Sequence, residues 1–279
     1  MTVRRAFTLA ASFFGAAAAL PRAAAAQSFV SQPQHYLLTT EAVDGRALWV
    51  QPAGLVARHE SSVSAMATAD RVGGSLALGQ YGVTLAAGPL GIGWQHDRLG
   101  SAAHGDAFVV GYAVGRPDRS VGFDHRWHRG TNIHSSAWDF GARYAPTSAL
   151  VFSLVWRDVG SPVIGDTIRA TLVPGAALAL LNGRLEIGAD WEIVTDGWGS
   201  SAVRAGVALT LPARLALGVR AEFGSFDRRG LAVDLTWNGH AARLTAFRSS
   251  VRSDDVDRYG VWAAAVANPQ ARRRRGTFR

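Results

Sequence analysis

The 279-residue chain contains no cysteine, and all 29 of its basic side chains are arginine. The first absence excludes a disulfide framework, a thiol nucleophile and thiolate metal sites. The second removes lysine Schiff-base chemistry and the phosphate-binding lysine of P-loops. Charged residues make up only 18% of the chain, yet no stretch of eighteen uninterrupted apolar residues marks a helical membrane span. Neither a G-x-S-x-G elbow nor an H-E-x-x-H pair occurs. What remains is abundant apolar surface, 48% of residues, with 31 glycines distributed through it. That composition excludes a disordered chain.

The first 26 residues read as a signal peptide. Arg4 and Arg5 precede an apolar stretch from Ala6 to Leu20, and Ala24-Ala25-Ala26 forms a cleavage signal before Gln27. The formal charge of +8 is concentrated at the ends, in Arg4, Arg5 and Arg22 and in Arg272 to Arg275 with Arg279. With those eight set aside, the body is formally neutral, and the case for a nucleic-acid partner falls away. The basic run 268–279 reads as a solvated tail.

Between the ends the dominant signal is a period of two. From Arg184 to Val194 the polar or small residues Arg184, Glu186, Gly188, Asp190 and Glu192 alternate with Leu185, Ile187, Ala189, Trp191 and Ile193. In a strand these sets occupy opposite faces. The same alternation recurs in Leu215–Gly224, in 231–237, in 138–144 and in 121–127, where His125 interrupts the apolar set. Strands are expected at 62–69, 75–87, 90–97, 107–115, 120–128, 138–145 and 150–158. Seven more follow at 167–176, 184–194, 202–211, 215–224, 231–237, 241–250 and 259–267. Short turns at 88–89, 116–118, 146–148, 212–213 and 238–240 alternate with longer polar connections at 99–106, 129–137, 159–166, 195–201, 225–230 and 251–258. The pattern predicts an all-β protein, a transmembrane antiparallel β-barrel of about fourteen strands. Lipid cannot satisfy an open sheet edge, so the sheet must close. Most of the nine Trp fall near strand ends, where interfacial girdles belong.

The domain expectation is therefore a signal peptide at 1–26, an amino-terminal hatch or plug segment at 27–60, the barrel at 61–267 and the tail at 268–279. In this arrangement Asp124, Arg126, Asp139, Arg143, Arg184, Glu186, Asp190, Glu192, Arg204, Arg220, Glu222 and Asp234 face the lumen, as do Arg157 and Arg169. Charges of both signs there form cross-strand ladders.

The tract Ala47-Leu-Trp-Val-Gln-Pro-Ala-Gly-Leu55, followed by an alternating first strand, resembles the FadL-type long-chain fatty-acid transporter superfamily, including its shorter PorV-like barrels. Members carry an Asn-Pro-Ala-Gly-Leu-like tract ahead of a fourteen-strand barrel plugged from the periplasmic side. The resemblance implies a hatch motif at Gln51, Pro52, Ala53 and Gly54, with Gln51 standing where Asn is usual. It also implies an outer-membrane protein for passive uptake or capture of a small hydrophobic compound. The alternative is a non-transporting barrel that serves an envelope or secretion complex. The expected partners are outer-membrane lipid, a small hydrophobic ligand and an envelope or secretion partner.

Two clusters contain residue types that can carry chemistry. His96, His104, His125, His128 and His134 lie within one third of the barrel, but no pair has helical i,i+4 spacing, so no metal site is expected. His134, Ser135, Ser136 and Asp139 contain the residue types of a nucleophile and its base. Without a nucleophile elbow they read as ordinary loop residues, so no catalytic residue, enzyme activity or cofactor is expected.

Overall fold

The computed structural model describes residues 33–58, 60–72, 74–98, 105–130, 133–160, 170–194, 201–224, 229–251 and 256–267. The expected signal peptide, residues 27–32 of the expected plug, and the tail lie outside the described residues. Fourteen strands form one closed antiparallel barrel. They begin with β1 (Ser61–Val72), β2 (Ser75–Ala87), β3 (Leu90–Asp97), β4 (Gly105–Arg116) and β5 (Arg119–Gly130). Next come β6 (Ile133–Thr147), β7 (Leu150–Val159), β8 (Thr171–Leu180), β9 (Leu185–Val194) and β10 (Ser201–Thr210). The circuit ends with β11 (Leu215–Gly224), β12 (Arg229–Asn238), β13 (Ala242–Val251) and β14 (Val256–Ala267). Each strand pairs with its neighbours in sequence, and β1 pairs with β14 from Ser61↔Ala267 to Val72↔Val256, so no edge is left open.

Alternation sorts the two faces as their residue types require. On β9, Gly188, Asp190 and Glu192 are buried while Ile187 is exposed. Val63 at 57%, Val121 at 54%, Val219 at 41% and Val261 at 50% exposure show that the apolar outer face continues round the barrel. A soluble protein does not present an apolar belt of that extent to water; a hydrocarbon environment satisfies it without cost. Inside, by contrast, the largest fully buried side chains include Arg126, Arg157, Arg204 and Arg258. The barrel is therefore inside-out relative to a soluble core.

Several boundaries differ from the sequence reading. β8 begins at Thr171 and runs to Leu180, four residues later than expected at each end, because its pairing with β7 extends to Leu150↔Leu178. The connection expected at 129–137 is almost all strand: β5 and β6 pair out to Gly130↔Ile133. The connection expected at 251–258 narrows likewise, to the four residues between β13 and β14. Polar and histidine-rich strand ends hid these extensions, since pairing beyond the hydrocarbon belt needs no apolar alternation. Two Trp depart from the girdle. Trp49 and Trp262 are both buried, at 2% and 3% exposure, and Trp262 sits on the inward face of β14.

Residues 33–58 precede β1 and are nearly all buried. They form short helical turns at Pro33–Tyr36, Ala47–Val50 and Pro52–Val56. Their partners are inward-facing groups round the barrel, among them Met66 of β1, Thr84 of β2 and Trp262 of β14.

Candidate functional site

The wall that meets residues 47–56 is a trough of glycines. Gly91 and Gly111 are register partners on β3 and β4, as are Gly122 and Gly141 on β5 and β6. Their missing side chains leave the room that Leu48, Trp49, Gln51 and Pro52 fill. A Cβ at Gly93 would lie 2.7 Å from the Trp49 ring, and one at Gly122 would lie 2.7 Å from the Ala53 amide nitrogen. Neither distance is tolerable for a real carbon, so this close approach requires glycine. Trp49 Nε1 donates to Thr84 Oγ1 on β2 at 2.9 Å, which satisfies the one polar atom of the ring. Leu48, Trp49, Val50, Leu55 and Val56 then complete one apolar cluster with Ala86, Ala107, Val109 and Ala113 of the wall.

The structure places Gln51 at the centre of this contact, with no exposed surface. Its Nε2 donates to the Ala142 carbonyl of β6 at 2.9 Å, while its Oε1 accepts from the Ala53 amide at 3.3 Å and caps the Pro52–Val56 turn. Pro52 sits in the first turn, where its missing N–H costs nothing. The Ala53 carbonyl accepts from Ser120 Oγ on β5 at 2.8 Å. Gly54 packs against the Ala42 carbonyl, leaving no space for a side chain there.

The remaining stretch meets charge, which also reaches Val50. Thr39 gives both its amide and its Oγ1 to the Asp190 carboxylate, each at 2.8 Å. Arg204 Nη1 donates to the His35 carbonyl at 2.8 Å, and Arg157 Nη2 to the Val50 carbonyl at 3.1 Å. Arg220 holds Glu41 through Nε at 2.7 Å and Nη2 at 3.0 Å, while its Nη1 pairs with Asp234. Tyr36 stacks on Phe247 at 4.5 Å between centroids. Arg46 grips Asp44 at 2.7 Å and lies 4.3 Å over the Trp262 ring.

Titration of this segment reflects the same surroundings. Burial pushes the His35 imidazole well below its ordinary value, and Arg157, Arg204 and Arg126 push it further the same way. Burial also raises the Tyr36 phenol to about 12. At Asp44 burial favours the acid form, but Arg46 overrides it and holds the carboxyl well below the usual range.

Most of the charges expected in the lumen are on the inner wall. Asp124, Arg126, Asp139, Asp190, Glu192, Arg204, Arg220, Glu222 and Asp234 are all buried. Glu186 is half-buried on the inward face of β9, and Arg143 is half-buried with Nη1 donating to the Pro117 carbonyl. Arg184 is a correction: it caps the turn before β9 and is exposed. The period of two ran one residue past the strand, which ends where the chain turns. Arg169 lies outside the described residues. Arg126 pairs with Asp139 at 2.8 Å, and the Asp158 amide caps the other Asp139 oxygen at 2.8 Å. Sequence reasoning missed the role of Asp158. A register shift lets Asp139 face both Arg157 and Asp158, with Asp158 at φ +55°, so both side chains turn inward.

The histidine cluster and the Ser/His/Asp cluster do not assemble. Ser136 and Asp139 are three residues apart on one strand and so face opposite sides of the wall. His125 packs on the outside between Trp127 and Trp138, His128 is half-buried on the opposite face, and His104 and the side chain of His134 lie outside the described residues. Among the described residues no group of three or more His, Asp or Glu is placed to hold a metal ion.

No family model and no curated protein matches the sequence. Solved structures do match the fold. The CymD monoaromatic hydrocarbon channel aligns with TM-score 0.58 and 8% identity over 85% of this chain and 95% of its own. The Pseudomonas putida toluene transporter TodX aligns with TM-score 0.53 and 11% identity over 83% and 95%. The chain shares the fold of FadL-type outer-membrane barrels. That architecture is not confined to them, since the Acinetobacter baumannii outer membrane protein Omp33 aligns with TM-score 0.51 and 10% identity over 75% of this chain and 99% of its own. All three are outer-membrane barrels, and the neighbours are channels and porins, not enzymes.

Proposed function

We propose that this chain is a bacterial outer-membrane barrel for passive uptake or capture of a small hydrophobic compound, with residues 27–60 as its plug. The reading supposes export through a cleaved signal at 1–26. The observation that carries it is the fit between the Gln51-Pro-Ala-Gly54 tract and the glycine trough of β3–β6, a seat whose cost in strand stability makes sense only if something occupies it. The fold neighbours add weight, because a monoaromatic hydrocarbon channel and a toluene transporter are among them.

Planar-bilayer conductance of the intact protein and of a variant lacking residues 27–58 tests the plug, and uptake of radiolabelled toluene by expressing cells tests the solute. The expected result is low, steady conductance in the intact protein, open pores in the deletion, and uptake above that of empty cells. Equal conductance in both forms sinks the plug assignment, and absent uptake sinks the solute class.

The second reading, a non-transporting barrel within an envelope or secretion complex, draws on a different observation. The segment is anchored by buried charges on β7, β9, β10 and β11 as well as by packing, more attachment than a freely moving gate needs. Stable copurification with a large partner, without solute uptake, would favour it.

A further inference from the structure

The outward face of the barrel has a charged break in its apolar lining at the short-turn end. Outward strand ends there carry Leu90, Leu185, Leu209, Leu217, Trp237 and Leu244. At the β4–β5 hairpin the corresponding positions are Arg116 and Arg119, which are directly opposite each other in the register. Both alternate in phase with the exposed Val114 and Val121, so both belong to the outer face. Arg119 in turn pairs with Tyr144 of β6, which is 53% exposed. The result is a cross-strand row of two guanidinium groups and a phenol.

Like charges directly opposite on one face repel, and the hairpin does not neutralise them. Asp118 lies in the same turn, yet neither arginine has a hydrogen-bond or ion-pair partner among the described residues. Arg143, which supports this turn through the Pro117 carbonyl, reaches it from the inward face and leaves the outer row untouched. An anion between Arg116 and Arg119 would turn the repulsion into two charge-assisted contacts, and the planar forks of arginine suit phosphate oxygens. Immediately above the row, Val114 pairs with Val121 and Val121 with Ala142, which continues to Leu154. Val114, Val121 and Leu154 are 45%, 54% and 43% exposed. Phosphate below and apolar wall above is the shape of a lipid, not of a free anion.

We propose that Arg116, Arg119 and Tyr144 bind the phosphate of an anionic glycerophospholipid in the leaflet facing the short turns, with its acyl chains along the Val114–Val121–Leu154 wall. The site rests on the membrane reading given above, though not on any solute. Tyr144 contributes a hydroxyl donor to an oxygen that the two arginines leave free. The lipid fixes the rotation and depth of this flank, as interfacial anchors do.

Native mass spectrometry of the full chain, delipidated and then titrated with phosphatidylglycerol or phosphatidylcholine, tests the assignment. The wild type should retain phosphatidylglycerol in preference to phosphatidylcholine. R116Q/R119Q, both at exposed positions and so harmless to folding, should lose that retention on the order of tenfold, while R116K/R119K should keep part of it. Inorganic phosphate at matched concentration should not displace the lipid. Equal retention of the two lipids, retention unchanged in R116Q/R119Q, or displacement by inorganic phosphate would each overturn the proposal. A wild type that fails to insert into vesicles overturns the membrane reading itself, which is a separate outcome.

Discussion

Between residues 47 and 56 the amino-terminal segment meets glycines above all, with Arg157 on the Val50 carbonyl; between residues 33 and 46 it meets arginines and carboxylates. The first stretch is held by shape. Leu48, Trp49 and Pro52 enter space that β3 to β6 leave empty, and the side chains of Gln51 and Ser120 donate to main-chain carbonyls across it. The second stretch is held by direction, through Arg204 on the His35 carbonyl, Asp190 on Thr39 and Arg220 on Glu41. Shape-held contacts fail when atoms are added, whereas charge-held contacts fail when a partner is removed or its protonation changes. The two halves should therefore answer to different perturbations.

The largest effect is expected at Gly122. A Cβ there would meet the main chain of Pro52 and Ala53, each at 2.7 Å, and backbone cannot swing aside as a leucine tip can. Gly122→Val should displace residues 47–56 and turn low conductance into persistent open pores, an overpacking penalty of about 1–3 kcal/mol. Retained strand content by circular dichroism would show that the barrel itself survives. A closed G122V barrel would remove the trough as the seat.

A smaller effect is expected from Thr39→Val, which keeps the shape but removes the Oγ1 contacts to Asp190 and Ser153. Asp190 keeps the Thr39 amide as a donor, so the cost falls at the low end of about 1–3 kcal/mol. Brief opening events should become more frequent in single-channel records without the persistent pores of G122V. Identical records for the two variants would mean that the halves are one cooperative unit.

The smallest effect is the response of His35 to pH. Its seated form is held neutral by burial and by Arg157, Arg204 and Arg126, while the unseated imidazole titrates near its ordinary 6.5. A depressed seated value means that the seat is fully stable above pH 6.5 and weakens as pH falls below it. Opening frequency should rise on acidification in the wild type, and His35→Gln should flatten that rise between pH 6.5 and pH 5. An unchanged slope in H35Q would assign the response to other groups.

Much of this was readable in the residues, though unevenly. The alternation on β9 and β11 by itself puts Asp190 with Glu192 and Arg220 with Glu222 on one face of each strand, because a period of two leaves no other arrangement. Arg184 misled for the same reason: alternation in sequence continues across a turn that ends the strand. The glycine trough was legible in part, since Gly91, Gly93, Gly122 and Gly141 share the phase of the polar residues on their strands, whereas Gly111 shares that of Ala107, Val109 and Ala113. Their register was not, because which glycines become neighbours depends on the stagger between strands. The inward turn of Asp158 had no signal at all, since a bulge needs only one extra residue and many sequences accept one.

The sequence alone therefore determined a closed barrel with a polar interior and an apolar exterior, because alternation and the cost of an open edge in lipid permit little else. Tertiary structure decided what the interior holds. Only closure brings Gly91 and Gly141 into one trough beside Trp49 and Gln51, and sets Asp190 and Arg204 opposite Thr39 and His35, more than a hundred residues away in the chain. Local patterning fixes which way a side chain points; what it meets there depends on strand count, register and stagger, which are properties of the whole sheet.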